Sequence, residues 1–284
     1  MVIPVVVFYI MFHYVPMYGA VIAFKDFSPR AGIFGSEWVG FKHFTEFFSG
    51  FYFKRLIRNT LTINIASLIF TFPAPIILAL LINELKSKSY AKIVQTVSYL
   101  PHFISMVVVC GMITNFVDGN GIINHILAWF GVEPNNLLYN KNLFLPIYIL
   151  SGLWQEIGWS SIIYIAALTA IDQELYEAIE MDGGGRWQKM RNISLPGIIP
   201  TIVTLLVLRI GQIMNVGYEK IILLENGLNM ETADVISSYV YREGLQNMNW
   251  SYSAAVGLFN SVINLVLLIF ANYVSRKFNE TALW

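Results

Sequence analysis

Two ionisable side chains, Glu156 and Arg209, stand inside long stretches that are otherwise free of charge. A charge carried into hydrocarbon is costly unless it faces a cavity or another charge. Two uses are therefore open for them: the polar lining of a passage, or a structural ion pair between neighbouring helices. The same regions hold Trp154, Trp159, Tyr218 and the amides Asn215, Asn260 and Asn264. Flat aromatic faces and planar hydrogen-bonding groups suit a ligand with both an apolar face and hydroxyls. Asn260 and Asn264 are four residues apart on one helix face, so they would serve equally well as interhelical hydrogen bonds. His102, beside Pro101, reads as a satisfied polar group within a bundle rather than a proton relay. Material for hydrolysis is missing: there is no HExxH, no intramembrane Ser/His pair and no paired carboxylates in the apolar runs. The single cysteine, Cys110, allows no internal disulfide, and no Cys/His cluster has metal-ligand spacing.

The elements that must position these residues are membrane helices. Of 284 residues, 56% are hydrophobic and 13% charged, against about 25% charged in a soluble domain. That excludes an ordinary water-soluble enzyme. Asp, Glu, Lys and Arg are absent throughout Met1–Phe24, Thr60–Asn83, Ile93–Val117 and Gly244–Ser275. Each of these runs exceeds the roughly 20 apolar residues that cross the hydrocarbon core as a helix. Two more spans are each interrupted by one charge, Glu156 or Arg209. A barrel would show alternating segments of roughly 10 residues instead. The expected fold is all-α: one polytopic transmembrane domain of six helices, with spans near 3–24, 57–83, 93–116, 143–170, 197–218 and 252–275. Prolines within them (Pro4, Pro16, Pro73, Pro75, Pro101, Pro146, Pro200) imply non-ideal helices whose freed carbonyls are satisfied by neighbours. The N-terminus has no basic region and no small-residue cleavage site, so it reads as a first span and not a signal peptide. Met1 abuts apolar sequence directly, which leaves open a polar leader ahead of it.

Equal numbers of basic and acidic residues, 18 each, give no case for nucleic acid. Lysines and arginines number eight in Glu84–Lys92, Asp172–Pro196 and the tail, and nine in the loops of the opposite side. The first group is packed into about half the length, which favours a cytoplasmic side with both termini on it. On the other side, the segment 25–56 carries Trp38, Phe41, Phe44, Phe47 and Phe48 at spacings of three and four. That pattern suits an amphipathic helix lying in the membrane interface, or equally a packed external loop.

The most informative segment is Asp172–Pro200, DQELYEAIEMDGGGRWQKMRNISLPGIIP. Asp172 suits an N-cap, and Glu174 lies in the first turn where the helix dipole favours an acid. Leu175, Ala178 and Ile179 form an apolar stripe. Gly183–Gly184–Gly185 stops the helix. Trp187, Met190 and Ile193 mark a second one, and Pro196 is expected to turn the chain before the next span. On shape alone this helix–glycine–helix hairpin either docks on a partner or packs against its own bundle.

Glu177-Ala178-Ile179, then Asp182-Gly183, nine residues, and Ile193-Ser194-Leu195-Pro196 resemble the EAA motif of binding-protein-dependent ABC importer permeases. Ile179 replaces the second alanine of that pattern and keeps the apolar face. Trp154–Ile171, Leu208–Gly227 and the tail Ser275–Trp284 are similar to the carbohydrate-importing group, in its polysaccharide-type branch. The resemblance implies a subunit of a bacterial inner membrane, paired with a second, homologous permease. It further implies two cytoplasmic ATPase subunits carrying the ATP and Mg, an extracellular solute-binding protein, and an oligosaccharide as cargo. No cofactor is expected on this chain, which lacks GxxxxGK[ST]. By resemblance, Glu177–Gly183 is the coupling helix, and Leu195-Pro196 fixes where the next span begins. Sugar contacts then fall in the last three spans, with Asn215, Gly217 and Tyr218 in the stretch that matches best. Permeases for peptides or amino acids share the hairpin but not the likeness around Trp154–Gly227. A membrane hydrolase or a passive pore finds no support in these motifs.

Overall fold

The computed structural model describes residues 2–279, so positions 280–284 of the tail lie outside the described residues. It is predominantly helical, with one antiparallel pair of two-residue strands among the described residues, β1 (Lys25–Asp26) and β2 (Glu37–Trp38). The main helices are α1 (Val2–Phe24), α2 (Lys42–Ser49), α3 (Phe53–Asn83), α4 (Lys88–Tyr99), α5 (Met106–Val117) and α6 (Lys141–Thr169). They are followed by α7 (Gln173–Met181), α8 (Arg186–Ile210), α9 (Tyr218–Leu224), α10 (Ile236–Tyr241) and α11 (Trp250–Asn279).

Among the described residues, five helical stretches are long and apolar enough to cross a membrane: α1, α3, Met106–Ala128 (α5 with the short helix after it), α8 and α11. The sixth long helix, α6, has 29 residues, about 43 Å at 1.5 Å per residue, enough to cross the roughly 30 Å hydrocarbon core. Its middle carries Gln155, Glu156 and several serines, which lowers its hydropathy. A helix that polar belongs inside a bundle, and α6 sits at the centre of this one. Ile76, Ala79 and Leu80 of α3 and Ile198 of α8 pack on its Tyr164 and Leu168. Val109 and Ile113 of α5 and Ile221 of α9 pack in one cluster with its Phe144. A third cluster joins Phe47 of α2, Leu56 of α3, Ile236 of α10 and Val256 of α11. The segment expected at the interface therefore contains a short helix anchored on the bundle through Phe47, while Phe41 and Phe48 stay exposed. Most of α1 is exposed on every side.

Three helix boundaries differ from the sequence expectation. The uncharged run 93–117 is not one helix: α4 tightens into a 3₁₀ turn at Leu100–Phe103, and α5 begins afresh after Ser105. Pro101 lacks an N–H. The Ser105 hydroxyl caps the new helix by accepting from the Val108 N–H at 3.4 Å. The fifth apolar stretch unwinds between Gly211 and Gly217 instead of running to Tyr218. Its freed backbone is satisfied from α11, where Asn264 Oδ1 accepts from the Met214 N–H at 3.0 Å. Finally, Pro196 does not turn the chain. A π-turn at Met190–Ser194 shifts the hydrogen-bond register just before the proline, and the helix continues unbroken from Arg186 to Ile210.

Candidate functional site

The polar positions of α6 and the ends of α8 and α9 converge on one cavity of about 840 Å³. Its wall includes Ser67 and Thr71 of α3, Met106 of α5, Tyr148, Gly152, Glu156 and Trp159 of α6, Arg209 of α8, and Gly217, Tyr218, Glu219 and Lys220. That volume lies in the upper part of the range for small-molecule sites, about 300–1,000 Å³.

Glu156 and Arg209 share this wall but do not pair. The Glu156 carboxylate meets His102 Nδ1 at 3.1 and 3.2 Å, and the His102 ring stacks face to face on Trp159, centroids 4.3 Å apart. The broken helix makes this possible, because Pro101 carries His102 over the face of α6. Close approach also depends on Gly158, where a side chain would collide with the Ser98 carbonyl. His102 is thus the satisfied polar group expected from the sequence, and its partner is the intramembrane carboxylate. Arg209 occupies the last turn of α8, where the carbonyl end of the helix dipole favours a cation.

Tyr218 opens α9 beside Gly217 and stacks on Tyr241, centroids 5.2 Å apart. Trp154 is exposed and lies off the cavity wall. Asn215, Asn260 and Asn264 also lie off it, as a hydrogen-bonded triad. Asn215 Oδ1 accepts from Asn260 Nδ2 at 2.8 Å and from Asn264 Nδ2 at 3.0 Å. Of the two uses open for these amides, the geometry displays the interhelical one. Of the nine residues proposed from sequence, the structure brings Glu156, Trp159, Arg209, Gly217 and Tyr218 together.

By sequence, Lys220 falls in the external loop 219–243 and, with Arg209, would favour an acidic oligosaccharide. In the structure it is a buried lysine on the cavity wall, with Nζ donating to the Tyr148 carbonyl at 2.9 Å and lying 4.6 Å from the Tyr148 ring centre. Nothing in the sequence around it announces that burial.

At the far end of α8 stands the hairpin. The Asp172 carboxylate caps α7 by accepting from the Glu174 N–H at 3.0 Å. Gly183 takes a positive φ, a left-handed conformation open to glycine at little cost. The Gly184 N–H then donates to the Ile179 carbonyl and closes the end of α7. Glu177, Ala178 and Asp182 are exposed, Ile179 is half-buried, Ile193 is buried, and Leu195 and Pro196 face outward. Leu175, Met181 and Trp187 leave apolar surface open, with Met181 88% and Trp187 70% exposed. The contacts that brace the hairpin include the Tyr176 hydroxyl with the Ser194 hydroxyl at 3.0 Å, and Lys189 with Glu180. The Lys189 ammonium holds the Glu180 carboxyl below the usual range, by a hydrogen bond first and charge second.

A bundle whose polar central helix lines a cavity, with a helical hairpin projecting from the cavity-wall helix α8, defines a membrane transport subunit. Residues 47–280 match the family described as binding-protein-dependent transport system inner membrane component, and the chain belongs to that family. It is a transport component and not an enzyme. The chain is 46% identical to the polygalacturonan/rhamnogalacturonan transport system permease protein YteP of Bacillus subtilis, over 100% of this chain and 89% of that protein. A crystal structure of a bacterial ABC transporter involved in the import of the acidic polysaccharide alginate superimposes with a TM-score of 0.89. The two are 46% identical, with 97% of this chain and 93% of that chain covered. The bacterial alginate ABC transporter in complex with an alginate pentasaccharide-bound periplasmic protein gives 0.91 at 45% identity, covering 100% and 95%.

Proposed function

We propose that this chain passes an acidic oligosaccharide, delivered by an extracellular solute-binding protein, across the bacterial cytoplasmic membrane by alternating access. Motion comes from two ATPase subunits, which hold the ATP and Mg, and a second, homologous permease completes the passage. In this reading the 172–196 hairpin and both termini face the cytoplasm. Glu177, Ala178, Ile179, Asp182 and Gly183 seat in an ATPase, while Ile193, Leu195 and Pro196 join that seat to the span.

One observation carries the proposal: α8 runs without interruption from Arg186 in the hairpin to Arg209 at the cavity, and the chain unwinds immediately afterwards. A helix is stiff and an unwound segment is not, so displacing the hairpin would swing Arg209 and bend the chain at 211–217. The buried Lys220, which has no ion-pair partner among the described residues although Glu156 and Glu219 share its wall, and the named cargo of the relatives support an acidic saccharide.

The test is ATP-driven uptake by the four-subunit importer reconstituted in vesicles with its binding protein. Glu177→Ala and Gly183→Pro should abolish uptake while the ATPases still co-purify. Normal uptake in both variants would refute the coupling assignment.

A further inference from the structure

Lys220 is 5% exposed, yet it lines the cavity. A buried ammonium needs a counter-charge or a full set of acceptors for its three N–H donors. Its surroundings supply one acceptor, the Tyr148 carbonyl at 2.9 Å, and the face of the Tyr148 ring. Among the described residues no carboxylate stands within ion-pair distance of it. Glu156, which shares the wall, is turned to His102. The space is shaped for the ammonium, since a β-carbon at position 152 would sit 3.1 Å from Lys220 Nζ. Glycine at that point of α6 lets the charge lie against the helix and face the cavity.

A site with a seat for a cation but no counter-ion is half of an ion pair. We propose that Lys220 is the specificity-determining residue of the passage, and that a sugar-ring carboxylate of the cargo supplies the missing half. The carboxylate accepts from the two ammonium hydrogens that Tyr148 leaves free. A neutral saccharide entering the cavity leaves Lys220 as it was, without that gain. Selection then comes from differential binding at one point, in the way that a site built for a polar group discriminates against analogues lacking it. Arg209, on the same wall at the end of α8, contributes a second positive charge, but exposed and so more weakly. Gly152, Tyr148 and Lys220 together form the pocket for the carboxylate.

This inference rests on the reading of the chain as an oligosaccharide permease, and the experiment separates the two. The reconstituted importer is given an acidic oligosaccharide and the same oligosaccharide with its carboxyl groups reduced to alcohols, and uptake of each is measured. Wild type should favour the acidic form. Lys220→Met, which keeps the length but not the charge, should lower the acidic-to-reduced uptake ratio by about tenfold or more. Lys220→Arg should restore most of the ratio. A parallel fall in both substrates for Lys220→Met would make the residue structural and overturn the inference while the permease reading stands. An unchanged ratio would also overturn it. Wild-type vesicles that take up neither saccharide would overturn both.

Discussion

Asp234 and Glu177 are both carboxylates on loops between membrane helices, and their surroundings could hardly differ more. The Asp234 side chain, 1% exposed, is paired with Arg55 at 2.5 Å and with Arg242. Arg242 also reaches Glu225 at 2.9 Å, the Ser238 hydroxyl donates to Asp234, and Asn59 donates to the Asp234 and Glu231 carbonyls. Burial pushes the Glu225 carboxyl up, against the pull of Arg242. Around this knot the chain is closed upon itself. Glu177 lies exposed on a hairpin that presents Leu175, Met181 and Trp187 outward. One end is a finished surface; the other leaves apolar side chains open. Rigidity at the first and an open surface at the second fit the proposed transport cycle, in which the hairpin is displaced and the opposite end holds its shape.

The largest expected effect comes from dismantling the finished end. Asp234→Ala leaves two arginines half-buried without their shared acid. Breaking such a pair from one side costs about 3–5 kcal/mol. We expect a fall in melting temperature of the detergent-solubilised importer of ten degrees or so, with much reduced yield. A shift of a degree or two would show that the knot is ornament and not structure.

Next comes the hairpin, where the effect should fall on transport and not on stability. A side chain at Gly184 would run into Ile179 Cγ2 and lie 2.8 Å from its carbonyl, so Gly184→Ala should prise α7 from α8. Uptake should fall by roughly 5- to 150-fold, the range of ordinary coupling energies, at nearly constant melting temperature. Equal losses of uptake and stability would mean that the hairpin belongs to the core.

A smaller effect is expected where α8 gives way. Asn264→Ala removes the acceptor for the Met214 N–H and a donor to Asn215. The cost should be about 0.6–2 kcal/mol, read as a modest drop in melting temperature. Asn215→Ala and Tyr218→Ala should each lower uptake while the ATPases still co-purify. If Asn264→Ala is silent, the unwound segment is held by packing on α11, as at Leu268, and not by its amides.

Much of this was legible without coordinates. Charge-free runs long enough to cross a bilayer fix membrane helices, because hydrocarbon admits little else. Glycine at 183 reveals the hairpin turn, because few other residues take a positive φ cheaply. Where helices break was not legible, since a proline ends one helix at Pro101 and is absorbed by a π-turn at Pro196. The outcome depends on what satisfies the backbone nearby: Ser105 at the first, the shifted register at the second. Partners were not legible either. Sequence offers Arg209 as a mate for Glu156 because both are charged, yet it is His102 that the broken helix delivers. Lys220 shows the same gap, as burial is a property of the packed bundle and not of the apolar run before it. The knot at Asp234 joins residues far apart in the chain, Arg55 among them, and no spacing announces it.

The contrast between the ends comes either from location or from burial. Two exposed pairs make the test: Glu180 with Lys189 on the hairpin, and Glu231 with Lys141 at the Asp234 end, 2.7 Å apart. Each carboxyl is held below its ordinary range by the lysine. A depressed acid stabilises the fold above its unfolded value, about 4.3 for Glu, and the contribution is lost as pH falls through the lower folded value. Lys189→Met and Lys141→Met should therefore lower the melting temperature only slightly at pH 7, and the difference should be lost as pH falls from about 4.3 through the lower folded value of each acid. It should shrink likewise in about 1 M salt, which weakens exposed ion pairs. Both pairs should behave alike although they sit at opposite ends, whereas the Asp234→Ala deficit should survive the salt. A Lys141→Met deficit that also survived would mean that the whole end, and not the buried knot alone, is built as one rigid unit.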